Sequence, residues 1–170
     1  DVIDYAKKQD LFASIDIHNN TGKNPLYGCV NELDKRFLDL AGNFGDHTVY
    51  FTEPHNVQSM AFSKFCPATT IEAGLPGEPA GVDAAYNFVQ TIFNADEIQP
   101  STKRSQTHVY HTMARIKVSQ DARVDFEDDL DSDADISLVS NIDTKNFAMI
   151  PKGTRVGYAK NLELIWVESN

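Results

Sequence analysis

The sequence contains few cysteines and few basic residues. Its 170 residues include only Cys29 and Cys66, which excludes a framework of several disulfides. We interpret both as buried thiols in a reducing cytosol rather than as one disulfide. The 15 Lys and Arg residues are outnumbered by 25 Asp and Glu residues, and the formal net charge is −10. Because binding to nucleic acid depends on clustered Lys and Arg, we expect no nucleic-acid partner.

Long hydrophobic runs are also missing from the chain. No stretch approaches the roughly 20 apolar residues that cross a bilayer, so we expect no membrane association and a cytoplasmic location. Hydrophobic residues nevertheless make up 41% of the chain and aromatic residues 10%, which is enough to bury a core. The length predicts one domain, or one domain followed by a small second one.

The two parts of the chain differ in their hydrophobic pattern. Helix and strand patterns alternate in the first part, as is typical of an α/β fold, with helices predicted over 2–8, 31–41 and 79–93 and strands over 11–17, 48–51 and 68–72. A polar linker follows, and hydrophobic residues then recur at the strand period, which predicts strands over 109–118, 122–126, 146–150, 154–158 and 162–167. We therefore divide the chain into an α/β region (1–95), a linker (96–103) and a small all-β subdomain (104–170).

The loop after the first predicted strand contains the strongest candidate for chemistry. His18 lies at the C-terminal end of that strand, where open α/β sheets place their ligand sites. Asp16 points to the same side of the strand and could hold one imidazole nitrogen while the other binds zinc. The amides of Asn19 and Asn20 could contact a substrate, although such residues also commonly cap loops.

Glu72 is the second candidate, because it ends the apolar strand 68–72 and is followed closely by Gly74. A carboxylate in such a setting is costly unless it is paired or functional. Beside a metal-bound water it could act as a general base and then protonate a departing amine. The alternative is a strand-end carboxylate that caps a helix or pairs with an arginine.

Residues 16–19 (Asp-Ile-His-Asn) and 70–74 (Thr-Ile-Glu-Ala-Gly) resemble two motifs of the succinylglutamate desuccinylase/aspartoacylase family, a branch of the zinc carboxypeptidase-like hydrolases. The family motifs are Asp-x-His-Asn and Thr-(Leu/Ile/Val)-Glu-x-Gly, and they occur in the same order. The resemblance covers residues 1 to about 95. It implies a mixed sheet flanked by helices in this region, with a β-rich tail beside the active site.

The same resemblance implies a function for each candidate residue. His18 would be a ligand of one catalytic zinc ion and Glu72 the general base. Asp16, Asn19 and Asn20 would support the zinc ligand or bind substrate. The implied activity is hydrolysis of an amide bond in an N-acyl amino acid or a small peptide.

One part of the family pattern is absent from the sequence. The first two zinc ligands of the family come from an upstream His-x-x-Glu motif, and none of the five histidines here is followed by Glu three residues later. We therefore expect the chain to be the later part of a longer hydrolase, with zinc absent or weakly held. The rival interpretation is a non-catalytic pseudoenzyme or binding module. A truncated sheet would also expose an edge, which favours a homo-oligomer.

Two other patterns indicate metal binding less strongly. His108 and His111 could chelate a metal on a helix, but residues three apart in a strand face opposite sides. The acidic run 125–135 has the first spacings of an EF-hand loop, yet Ile136 and Ile142 stand where Gly and Glu are needed. We predict that this run is a solvated turn.

Overall fold

The computed structural model describes residues 2–101, 108–114, 117–129, 131–160 and 163–166, the last four as backbone. The chain divides into two compact units, residues 1–114 and 115–170. The first contains a mixed sheet flanked by helices, and the second contains a small antiparallel-rich sheet. The predicted fold class is therefore confirmed.

The first unit alternates short strands with helices along the chain. Its elements are α1 (Val2–Ala6), β1 (Ser14–His18), β2 (Tyr27–Val30), α2 (Lys35–Gly42), β3 (His47–Tyr50), α3 (Gln58–Phe62), β4 (Ala68–Glu72), α4 (Pro79–Phe93) and β5 (His108–His111). The bounds of β4 and α4 agree with the sequence prediction. The elements β2 and α3 were not predicted, because four or five residues are too few to show a clear period.

Within the described residues, five strands pair in the order β1-β4-β2-β3-β5. The pair β1 and β4 is parallel, and so are the pairs β2 with β3 and β3 with β5. Between them, β4 and β2 are antiparallel. The C-terminal ends of β1 and β4 consequently lie at the same end of the sheet as the first residues of β2, β3 and β5.

The core of the first unit lies between one face of this sheet and two helices. Leu40 of α2 and Ile71 of β4 are fully buried and pack with Phe88 of α4. Asp34 begins α2 as its N-cap by accepting a hydrogen bond from the Arg36 backbone N–H at 3.0 Å, and Pro79 stands in the first turn of α4. No helix in the described ranges has the length and apolar character that a membrane span needs.

The boundary between the two units differs from the predicted one. β5 pairs with β3 and so belongs to the first sheet, whereas residues 104–170 were assigned to the all-β subdomain. Part of the predicted linker is packed: the Ser101 hydroxyl donates to the Gly42 carbonyl at 2.7 Å, and the Asn43 amide donates to the Gln99 carbonyl at 2.8 Å. The rest of that linker, residues 102 and 103, lies outside the described residues. The error arose because a strand at a sheet edge shows the same alternation in either unit.

The second unit is a small sheet with the strand order β6-β7-β8-β9. Its elements are β6 (Val124–Asp125), β7 (Ile136–Leu138), a 3₁₀ helix (Ile142–Lys145), β8 (Arg155–Ala159) and β9 (Glu163–Trp166). The predicted strand 146–150 is wrong, since this segment follows the 3₁₀ helix and Phe147 has a φ of 58°.

The acidic run of the second unit forms turns that are closed by basic side chains. Arg155 contacts both carboxylate oxygens of Asp128, and Lys160 contacts Asp135 at 3.3 Å. The hydrogen bond from Arg155 lowers the pKa of Asp128, and the backbone N–H of Arg123, followed by the Lys160 side chain, lowers the pKa of Asp135. Apart from Asp125, which ends β6, the described residues of the run thus form surface turns, as predicted.

Candidate functional site

A row of five ionisable side chains crosses the first sheet. His18 of β1 is paired with Glu72 of β4, and Glu72 is paired in turn with Tyr27 of β2. Tyr27 is paired with His47 of β3, and His47 with His108 of β5. Directly paired residues point to the same face of a sheet and lie about 5 Å apart. The row therefore forms one polar strip at the end of the sheet, on the face opposite Ile71.

The structure places Asp16 beside the His18 imidazole. The distance from Asp16 Oδ2 to His18 Nε2 is 3.2 Å, and the two side chains are 23% and 53% exposed. The contact follows from their spacing, because residues two apart in a strand share a face. The carboxylate holds Nε2 and leaves Nδ1 as the nitrogen that faces other partners. The contact brings the Asp16 carboxylate to the ring, and the role of Asp16 as an orienting partner stays a prediction.

The loop after β1 brings Asn20 to Glu72. The Asn20 amide donates to Glu72 Oε2 at 3.2 Å. Backbone bonds continue past the ends of both strands, from Ala73 N–H to the His18 carbonyl at 2.8 Å and from Asn20 N–H to the Gly74 carbonyl at 3.1 Å. The side-chain oxygen Oδ1 of Asn20 accepts a hydrogen bond from the side-chain amide of Asn24 at 2.8 Å. This bond holds the side-chain nitrogen of Asn20 toward the Glu72 carboxylate.

Glu72 also acts on the neighbouring strand β2 through its charge. Burial, followed by the Glu72 carboxylate, raises the pKa of Cys29 to about 12. The same two causes raise the pKa of Tyr27 above its usual value. Both groups therefore stay protonated near neutral pH, and the Tyr27 hydroxyl keeps its proton beside the carboxylate.

His47 and His108 occupy the far end of the row. Their ring centres lie 5.5 Å apart, and Tyr110 lies 5.7 Å from His47. Burial, and then the neighbouring His108, lowers the pKa of His47, while Asp46 acts in the opposite direction. His111 faces the other side of β5, against Tyr50, so the predicted separation of His108 from His111 is confirmed.

Asn19 is placed at a cavity instead of beside Glu72. Together with His18, Ile17 and Ala73 it lines a space of about 650 Å³ that extends along α4 to Val82. Most of the lining side chains are apolar. Of the predicted site residues, Asp16, His18, Asn20 and Glu72 thus come together on the sheet, while Asn19 lies at the cavity wall.

The metal-binding side chains of this site can be compared with the ligands of a catalytic zinc ion. The described ranges bring together no group of three or more His, Cys, Asp and Glu side chains that could hold a metal ion. His18 offers one imidazole, whereas a catalytic zinc ion takes three protein ligands. His18 therefore fits one position of such a site, and two further ligands are needed to complete it.

Sequence analysis missed Tyr27, His47 and His108 as members of the row. Their place depends on which strands pair, and β2 was not predicted at all. The usable signal was local: His47 directly precedes the predicted strand 48–51, and His108 directly precedes 109–118. A polar residue at each strand start would have indicated a shared sheet end once the pairing was known.

Comparison with known proteins finds a likeness among solved structures. No protein-family model matches the chain, and no curated protein matches it. Among solved structures, the succinylglutamate desuccinylase from Chromobacterium violaceum is similar to it, with a TM-score of 0.45 and 10% identity. The alignment covers 75% of this chain and 48% of that one, so the chain spans about half the length of the desuccinylase. Membership of the family stays a prediction.

The reactivity of Cys29 should report the charge of Glu72. At pH 8 a thiol with a pKa near 12 has about a thousandfold less thiolate than an ordinary one, so labelling of Cys29 should be slow in a Cys66→Ser background. Removing the negative charge with Glu72→Gln should lower the pKa of Cys29 and speed labelling about threefold or more. The measurement is the rate of reaction with a disulfide reagent.

Glu32→Gln is the matched control for this experiment, because Glu32 is exposed and close to Cys29 in sequence. Its labelling rate should equal that of the parent. Equal rates in the Glu72→Gln and Glu32→Gln proteins would show that Glu72 does not act on Cys29.

Proposed function

We propose that this chain carries part of the active site of a zinc-dependent hydrolase that cleaves an amide bond in an N-acyl amino acid or a small peptide. In this proposal Glu72 is the general base and His18 a zinc ligand. Asp16 orients the imidazole, and Asn20 positions the Glu72 carboxylate. Asn19 contacts the substrate from the wall of the adjoining cavity.

The pairing of His18 with Glu72 across β1 and β4 is the observation that supports this proposal most directly. It brings together an imidazole and a carboxylate that lie far apart in the sequence. Each has its own polar partner, Asp16 at 3.2 Å and Asn20 at 3.2 Å, so their orientations are held before substrate binds. Such support is what a catalytic pair requires.

The residues of this chain can perform a defined part of amide hydrolysis. A carboxylate at the position of Glu72 can take a proton from an attacking water and pass it to the departing amine nitrogen. The Asn20 amide binds only one of the two carboxylate oxygens, which leaves Oε1 as the oxygen for proton transfer.

Zinc bound through His18 would polarise the amide carbonyl and lower the pKa of the attacking water. The two ligands that complete its site would come from outside the described residues of this chain. With Nε2 held by Asp16, the imidazole has Nδ1 for the metal. A carboxylate that holds one nitrogen of a zinc-bound imidazole is a common arrangement in zinc enzymes.

Turnover tests the role of Glu72. In a zinc-loaded parent protein that contains the two further zinc ligands, Glu72→Gln should reduce the hydrolysis of N-acyl amino acids by about 10²–10⁴-fold, because glutamine keeps the shape and removes the base. The assay measures release of the primary amine from a panel of N-acyl amino acids and dipeptides.

Glu32→Gln provides the control for that assay, since Glu32 is exposed and lies outside both the row and the cavity. Its rate should equal that of the parent protein. If Glu72→Gln and the parent turn over at the same rate, Glu72 is not the base. If the parent cleaves no member of the panel, the non-catalytic binding module replaces the proposed enzyme.

Zinc retention tests the role of His18. In equilibrium dialysis, His18→Ala should weaken zinc binding by at least about tenfold, while Glu72→Gln should leave it unchanged. His55→Ala is the control, because His55 is exposed and lies outside the row. An unchanged zinc affinity in His18→Ala would remove His18 as a ligand.

A further inference from the structure

The far end of the polar row contains a pair of histidines that the proposed hydrolase does not use. His47 and His108 stand opposite each other on β3 and β5, so their side chains point to the same face of the sheet. Their ring centres are 5.5 Å apart with an angle of 75° between the planes. His108 is exposed and His47 is half-buried, with its Nδ1 atom buried.

The spacing of the two rings is slightly longer than that of two imidazoles on one metal ion. A metal–nitrogen bond of about 2.0–2.1 Å puts each ring centre roughly 3.2 Å from the ion. Two rings bound at angles of about 90–110° then have centres about 4.5–5.2 Å apart. The observed 5.5 Å is close to this range, so small rotations of the side chains bring one nitrogen of each ring to a common ion.

The pair is too far from His18 to share its ion. His18 and His47 stand on β1 and β3, which are separated by β4 and β2 in the sheet. Three strand spacings of about 4.8 Å give a separation of about 14 Å along the row. Because strand side chains stand roughly perpendicular to the sheet, the imidazoles keep about this separation, which is far more than two metal–nitrogen bonds of about 2 Å span.

We propose that His47 and His108 form a second metal site, a two-imidazole site for a late first-row divalent ion such as Cu²⁺, Ni²⁺ or Zn²⁺. Neutral imidazole is a preferred ligand for these ions, and Cu²⁺ should bind most tightly in the Irving–Williams order. Solvent or a ligand supplied by substrate completes the coordination. The site is independent of the proposed hydrolase.

The experiment uses Cu²⁺ as the probe in a His18→Ala background, so that the proposed zinc ligand cannot contribute. One equivalent of Cu²⁺ should give an electron paramagnetic resonance spectrum with nitrogen couplings from two imidazoles. Adding His108→Ala should reduce this pattern and weaken Cu²⁺ affinity at least tenfold in competition with glycine. Because His108 is exposed, its replacement should leave the fold intact, which circular dichroism checks.

His111→Ala in the same background is the matched control. His111 is on the same strand and equally exposed, but it faces the other side of the sheet. It should keep the two-nitrogen spectrum and the parent affinity. The proposal is overturned if His108→Ala keeps its Cu²⁺ affinity within about twofold, or if His111→Ala weakens binding as much as His108→Ala does.

Discussion

The antiparallel pairing of β4 with β2 is the constraint on which the candidate site depends. It reverses the strand direction in the middle of the sheet. The C-terminal ends of β1 and β4 therefore lie beside the N-terminal ends of β2, β3 and β5. Glu72 stands at this point of reversal, between His18 and Tyr27. In an all-parallel sheet the first residues of β2, β3 and β5 would lie at the opposite end. The polar row thus results from topology as much as from composition.

The core keeps this row in register. Ile71 is fully buried against α2 and α4, and its neighbour Glu72 points to the opposite face. A slip of β4 by one residue would expose Ile71 and drive the Glu72 carboxylate into the apolar cluster. Burying an isoleucine side chain contributes about 1.5–3 kcal/mol, and an uncompensated buried carboxylate costs several kcal/mol. The same packing that stabilises the unit therefore positions the carboxylate.

Local patterns in the sequence predict the elements that are long or strongly apolar, such as α4 and β4. They also predict that His18 and Glu72 end strands, since a polar residue that follows an apolar run is visible in the sequence. Which strands pair is a non-local property, so the contact of Glu72 with Tyr27 and the inclusion of β5 in the first sheet were not predictable. The left-handed Phe147 is a different case, because its residue type gives no signal for a positive φ. Sequence analysis thus found the residues of the pair but not the row that contains it.

The claim that His18 and Glu72 act as one unit is tested most directly by a double-mutant cycle on kcat/KM. The variants are His18→Ala, Glu72→Gln and the combination of both, made in a zinc-loaded protein that contains the two further ligands and assayed on the best N-acyl amino acid of the panel. Residues of one catalytic unit are strongly non-additive, so the double variant should be about as slow as the slower single variant. The account would be contradicted if the fold-loss of kcat/KM in the double variant equalled the product of the two single losses. Such a result would mean that His18 and Glu72 act independently.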